Sequence, residues 1–244
     1  FVDLYAYGLA EAVARGYNVI AFEGPGQGSL LFEKEICFTP DWGSVIAPIV
    51  DHLLSRPEVD PERIALTGWS MGGNLVIRAA ASEHRLAAVV SDPGAMNLIG
   101  SYLTRGGEAI FGTDVADPNA VWKEFTGSPG FGPAEKFLFA KRSEIYLPEL
   151  LADARAGRTF ANVTPFIAAL RSYTIPPEMA AAVTAHVLVT DYDRDDFFPG
   201  QPEAMVAALT AARSKALRRF TAAEGAEYHC APLAPRVRNE AVFD

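Results

Sequence analysis

Arg63-Ile64-Ala65-Leu66-Thr67-Gly68-Trp69-Ser70-Met71-Gly72-Gly73 decides how this chain is read. Its first five residues are a short apolar run of strand character, and Asn74-Leu75-Val76-Ile77-Arg78-Ala79-Ala80-Ala81 beyond it has helical character. Between them a serine sits in a Gly-x-Ser-x-Gly pentapeptide, which predicts a sharp strand-to-helix turn. Such a turn strains the serine backbone and lifts its hydroxyl clear of the sheet. Gly68 and Gly72 are expected because a side chain at either would collide with neighbouring backbone. The following helix start aims N–H groups and positive dipole at the place where an oxyanion would form, with the Met71 N–H as the donor that can be named. A pentapeptide arises by chance often enough that its flanks must support it. Here they do, and Ser70 is a candidate nucleophile.

Helical and strand character alternate along much of the chain. Strands are expected at Asn18–Phe22, Arg63–Thr67, Leu86–Val90, Ala185–Thr190 and Ala216–Thr221. Helices are expected at Asp3–Val13, Asp41–Ser55, after Ser70, and at Gln201–Ala212. This order predicts an α/β fold with five parallel strands and helices on both faces. Between Ser91 and Met179 the rhythm breaks into an aromatic-rich stretch with Tyr102, Phe111, Trp122, Phe125, Phe131, Phe137, Phe139, Tyr146, Phe160, Phe166 and Tyr173. Residues 1–92 and 180–244 are therefore expected to form the α/β core. Residues 93–179 would be a helical cap inserted over the C-terminal edge of the sheet, where open α/β sheets hold their sites. Most of the aromatics would be the cap's own core, and a few would line a pocket.

A formal net charge of −9 over 244 residues argues against nucleic acid or an anionic membrane as partner. No apolar run approaches the ~18–20 residues of a membrane span. The two cysteines, Cys37 and Cys230, give neither a disulfide framework nor metal spacing. Asp191, Asp193 and Asp195 imitate the start of a calcium loop, but Asp196 stands where glycine belongs and Pro202 where glutamate belongs. Gly24-Pro25-Gly26-Gln27-Gly28 fits no nucleotide-binding fingerprint, so no cofactor and no metal are expected. The expected partner is a small-molecule substrate, and a homodimer is compatible with this composition. No signal peptide is visible, and a cytoplasmic protein is expected. The chain starts on Phe1 and stops at Asp244 inside a helical pattern, which reads as a fragment trimmed at both ends.

A serine hydroxyl needs a base to take its proton and a third group to orient that base. After a Gly-x-Ser-x-Gly elbow the chain order is serine, acid, histidine. Of the four histidines, His52 and His84 sit on or beside helices and His186 enters a strand. His229 lies in the loop after the last strand, where the base is needed. The acid is expected in Asp191-Tyr192-Asp193-Arg194-Asp195-Asp196-Phe197-Phe198-Pro199. Asp195 is favoured by its spacing from the strand and from Pro199. Asp193, Asp191 and also Asp92, just after the preceding strand, remain candidates.

Phe22-Glu23-Gly24-Pro25-Gly26-Gln27-Gly28, Gly68-Trp69-Ser70-Met71-Gly72-Gly73, Phe198-Pro199-Gly200-Gln201 and Glu224-Gly225-Ala226-Glu227-Tyr228-His229-Cys230 together resemble the α/β-hydrolase superfamily over essentially the whole chain. The branch they resemble includes dipeptidyl-aminopeptidase-like bacterial proteins, the fungal yellowish-green pigment hydrolases that shorten polyketides, and the dihydroxypseudooxynicotine hydrolase of nicotine catabolism. The resemblance implies Ser70 as nucleophile, His229 as base and a carboxylate at Asp195. It implies cleavage of an ester, or of a carbon–carbon bond next to a ketone, in a moderately apolar small molecule; a peptidase and a non-catalytic ligand-binding member are the alternatives. Glu23 stands where the superfamily often has aspartate and is expected to be structural. The first strands of that fold, and the loop supplying its second oxyanion donor, have no counterpart in this sequence. Loss of one such donor typically costs on the order of 10²–10³ in rate.

Overall fold

The computed structural model describes residues 5–244. Asp3 and Leu4, where the first helix is expected to begin, lie outside the described residues; Tyr5–Leu9 winds as a π-helical turn and Ala10–Ala14 as an α-helix. The chain forms two compact units. One comprises Phe1–Phe22, Asp41–Asn97 and Ile175–Asp244, and the other Glu23–Pro40 and Leu98–Thr174. The second unit thus starts and ends about five residues inside the expected boundaries at 93 and 179, and it takes in Glu23–Pro40, which the sequence pattern assigns to the core. The reason is local: the Phe38 N–H donates to the Ile145 carbonyl at 2.8 Å, and Arg155 pairs with Glu35.

In the first unit, β1 (Ala65–Trp69), β2 (Ala88–Asp92), β3 (His186–Tyr192) and β4 (Ser214–Phe220) form one parallel sheet in that order. Trp69 pairs with Asp92 and Tyr192 with Phe220, so the C-terminal ends of neighbouring strands lie side by side. Val187 and Val189 on one face of β3, and Thr190 and Tyr192 on the other, are all buried, as expected of a parallel strand covered on both sides. The expected strand at Asn18–Phe22 is a correction: it joins no ladder among the described residues, and Val19 and Ile20 are exposed. Residues of β propensity become a strand only when another strand offers its N–H and C=O groups. The same requirement moves β1 and β2 two residues toward the C-terminus of the expected runs.

The helices of this unit used below are α1 (Gly43–Leu54) and α2 (Met71–Ala80). The second unit contributes α3 (Pro118–Gly127), α4 (Pro133–Ser143), α5 (Pro148–Arg155) and α6 (Thr164–Ser172). The first unit then resumes with α7 (Gln201–Ala208) and α8 (Pro235–Phe243). α2 packs on β1 and β2, and α7 on β3 and β4. Leu75, Val76, Ile77, Ala79 and Ala80 of α2 are all buried, so this helix is walled in rather than laid on a surface.

The second unit spends most of its aromatics on itself. Trp122 of α3 stacks on Phe160 with centroids 4.9 Å apart and donates its indole N–H to the Phe160 carbonyl at 2.7 Å. Phe131, Phe139, Phe166, Tyr102 and Phe111 continue the cluster edge to face. In the loop before it, the Glu23 carboxylate accepts from the Ser29 N–H at 2.9 Å and the Ser29 hydroxyl at 2.7 Å, which holds its pKa below the usual carboxylate value.

The two glycines after Ser70 behave oppositely. A Cβ at Gly73 would stand 2.1 Å from the Pro93 carbonyl oxygen, whereas one at Gly72 would meet nothing within 4 Å. Gly73→Ala is expected to lower stability by about 1–3 kcal/mol through overpacking, and Gly72→Ala to leave it unchanged or raise it by up to about 1 kcal/mol. Urea midpoints measure both, and a wild-type midpoint for Gly73→Ala would remove this packing constraint.

Candidate active site

β1 ends at Trp69, α2 begins at Met71, and Ser70 between them sits at φ 55° and ψ −120°. A non-glycine residue in that conformation carries about 1–3 kcal/mol of strain. Two backbone bonds hold it: the Ser70 N–H donates to the Asp92 carbonyl at 2.6 Å, and its carbonyl accepts the Gly73 N–H at 2.9 Å. Gly68 is required by the turn, since a Cβ there would lie 2.3 Å from the Gly72 carbonyl oxygen. Gly72 is not required on that ground, which corrects the symmetrical expectation: its backbone is the obstacle and its own Cβ position is open. Met71 stands at the head of α2, the first of the helix N–H groups that face the serine end of the turn.

The Ser70 hydroxyl lies 2.8 Å from His229 Nε2, and His229 Nδ1 lies 2.9 Å from Asp195 Oδ2. An ionised carboxylate can only accept, so Nδ1 carries the proton and Nε2 is left to accept from the serine hydroxyl. Asp195 is fixed from its other side, where Oδ1 accepts the Phe197 N–H at 2.7 Å and the Phe198 N–H at 3.3 Å. Its side chain is 2% exposed and that of His229 18%, so the carboxylate is sealed while the imidazole keeps an open side. The loops carrying the two residues are joined, as Arg194 and Tyr228 form a parallel bridge and the Arg194 N–H donates to the Glu227 carbonyl at 2.8 Å.

The other carboxylates face elsewhere. Asp191 is engaged by Arg219 at 2.6 Å and by the Tyr192 N–H, and Asp193 accepts the Ala222 N–H at 3.4 Å. Asp92 is fully buried, and its carboxylate is taken by Thr190, Tyr192 and Arg238. His186 bonds Ser214 on the neighbouring strand, and His84 lies 3.4 Å from Thr184. Sequence reasoning overlooked the two rings beside His229: Phe197 lies 4.5 Å and Phe198 5.7 Å from the imidazole centroid. Their adjacency to Asp195 was the available signal.

Comparison with known proteins places this geometry in context. A family model described as alpha/beta hydrolase family matches residues 2–241. Among curated proteins, the chain is similar to hydrolase LUC6 of Fusarium sp, 42% identical over 100 residues that make up 39% of this chain and 24% of that protein. It is similar to 20-hydroxy-prefusarin hydrolase FUS2 of Gibberella moniliformis, 40% identical over a segment of the same length and shares. The matched segment thus spans about a quarter of each of these relatives. Among solved structures, the 2,6-dihydroxy-pseudo-oxynicotine hydrolase superposes with a TM-score of 0.58 at 20% identity, covering 91% of this chain and 49% of that one. The meta-cleavage product hydrolase from Pseudomonas fluorescens IP01 gives 0.56 at 16% identity over 99% and 83%. These two likenesses concern the fold.

Cys230, next to the imidazole, has its thiol 3.5 Å from the Asp92 carbonyl, and burial pushes its pKa well above the ordinary thiol value. Cys37 is raised too, by burial and then by Glu149. Thiolate is the reactive form, so both are expected to be slow toward an aromatic disulfide reagent at pH 7 and faster as pH rises, with Cys37 ahead. Cys230 is expected to react much faster once the chain is unfolded in urea; its prompt modification in the native chain at pH 7 would contradict this environment.

Proposed function

This chain belongs to the alpha/beta hydrolase family, and from that premise we propose that it is a serine hydrolase in which Ser70, His229 and Asp195 act as nucleophile, base and orienting acid. The observation that carries the reading is the unbroken hydrogen-bond chain from the Ser70 hydroxyl through both imidazole nitrogens to Asp195. In the proposed reaction His229 Nε2 takes the serine proton as Oγ attacks a carbonyl carbon. The resulting imidazolium is stabilised by Asp195. Negative charge on the former carbonyl oxygen meets the Met71 N–H at the head of α2, where the helix dipole favours it. Collapse expels the leaving group, which receives its proton from Nε2: an alkoxide oxygen for an ester, or an α-carbon for a bond next to a ketone. A water deprotonated by the same nitrogen then hydrolyses the acyl-serine.

A moderately apolar small molecule is the proposed substrate. Phe197, half-buried beside the imidazole, supplies an apolar wall next to the reacting carbon. One relative is named as a hydrolase of 20-hydroxy-prefusarin, which supports a small-molecule substrate. The aromatics of the second unit support it less, being spent on that unit's own core. Among the described residues no helix is long and apolar enough to cross a membrane.

A fluorophosphonate probe followed by peptide mass spectrometry tests the mechanism. Labelling is expected at Ser70 and is expected to vanish in Ser70→Ala and His229→Ala. Asp195→Asn is expected to slow it on the order of 10³–10⁴-fold, because the amide would donate to Nδ1 and enforce the wrong tautomer. Absence of labelling in the folded chain would overturn the serine mechanism and favour a ligand-binding role for the fold.

A further inference from the structure

Asp92 is bonded to Ser70 itself and to a residue near each of the other two proposed functional residues, Cys230 just after His229 and Tyr192 shortly before Asp195. Its carbonyl accepts the Ser70 N–H at 2.6 Å. The same carbonyl faces the thiol of Cys230, the residue after His229, at 3.5 Å. Its carboxylate accepts from the Thr190 hydroxyl at 2.6 Å and from the Tyr192 hydroxyl, and the Tyr192 carbonyl in turn accepts the Asp195 N–H at 3.1 Å. Arg238 of α8 donates Nε to the other carboxylate oxygen. Its guanidinium also lies 4.7 Å over the ring of Trp69, the residue before Ser70. Both charged side chains are 0% exposed.

A fully buried ion pair is a poor device for stability, because well-packed apolar residues of the same volume often serve as well or better. What it supplies is geometric specificity, because charge-assisted hydrogen bonds are short and directional. The phenol participates as a donor throughout, as burial and the neighbouring Asp92 push the Tyr192 pKa far above its ordinary value. Nor is Asp92 a spare orienting acid for His229, its oxygens being filled from β3 and α8.

We propose that Asp92, held by Arg238 and Tyr192, is a positioning residue that sets the relative placement of Ser70, His229 and Asp195 through its bonds to Ser70, Cys230 and Tyr192. The assignment rests on the serine-hydrolase reading above. Errors of about 1 Å in such placement cost on the order of 10²-fold in rate.

The test is the time course of fluorophosphonate labelling, resolved into KI, the rate constant kinact, and the final fraction labelled. Asp92→Asn is expected to lower kinact about 10–100-fold with KI within about threefold of wild type and full final labelling. Tyr192→Phe removes a single donor, keeps its ring stacked on Phe220 with centroids 5.2 Å apart, and so tests the assignment even where Asp92→Asn fails to fold. Its kinact is expected to fall about 3–10-fold. A wild-type kinact in Tyr192→Phe or in folded Asp92→Asn overturns the assignment, as does a variant whose final fraction alone falls. If the unsubstituted chain does not label, the hydrolase reading fails and this one with it; if it labels and the variants match it, only the positioning role fails.

Discussion

Ser70 is held at φ 55° and ψ −120°, about 1–3 kcal/mol above a relaxed backbone, and its neighbourhood is built to stop it relaxing. The Asp92 carbonyl fixes its N–H and the Gly73 N–H fixes its carbonyl. Trp69 and Asp92 are the last register pair of the β1–β2 ladder, so the strand that delivers the serine and the strand that restrains it end together. Gly68 and Gly73 are bare because backbone carbonyls occupy the space their side chains would need. Ladder, turn and helix therefore brace one another, and none can shift without releasing the strain.

The second constraint is the parallel sense of the sheet. Four strands running one way put four chain exits along one edge, and Ser70, Asp92, Asp195 and His229 all stand at or shortly after such exits. Loops are the mobile part of most proteins, but here the loops that carry Asp195 and His229 are joined by the Arg194–Tyr228 bridge. Asp195 is gripped by two N–H groups of its own turn before it meets the imidazole. Rigid scaffold and local bonding both contribute to placing the imidazole between a hydroxyl and a carboxylate.

What was legible in the sequence was what is local or ordered along the chain. The elbow is a contiguous pentapeptide, His229 follows the last strand, and both are where the sequence reading expects them. Asp195 stands among four aspartates in Asp191–Asp196; spacing favours it, but what distinguishes it in space is bonding to the Phe197 and Phe198 N–H groups and to His229, which residue type does not encode. Asn18–Phe22 has the composition of a strand and none of the pairing. Arg238 gave no signal, because a buried arginine on a C-terminal helix reads like the exposed Arg236 two residues earlier. Only the fold discloses that an aspartate 146 positions upstream is waiting for it.

The two-part make-up of the second unit has a consequence for synthesis. Glu23–Pro40 leaves the ribosome well before Leu98–Thr174, yet some of its partners, including the Ile145 carbonyl that receives the Phe38 N–H and Arg155 that pairs with Glu35, lie in that later segment. At about 5–20 residues per second, the interval between Phe38 and Ile145 is on the order of 5–20 s. Throughout it, the early segment has emerged without the chain it belongs to, while the β1–α2–β2 segment is made in between. The order of translation thus crosses the order of assembly, and the bonds that join this stretch to its counterpart can form only after that interval.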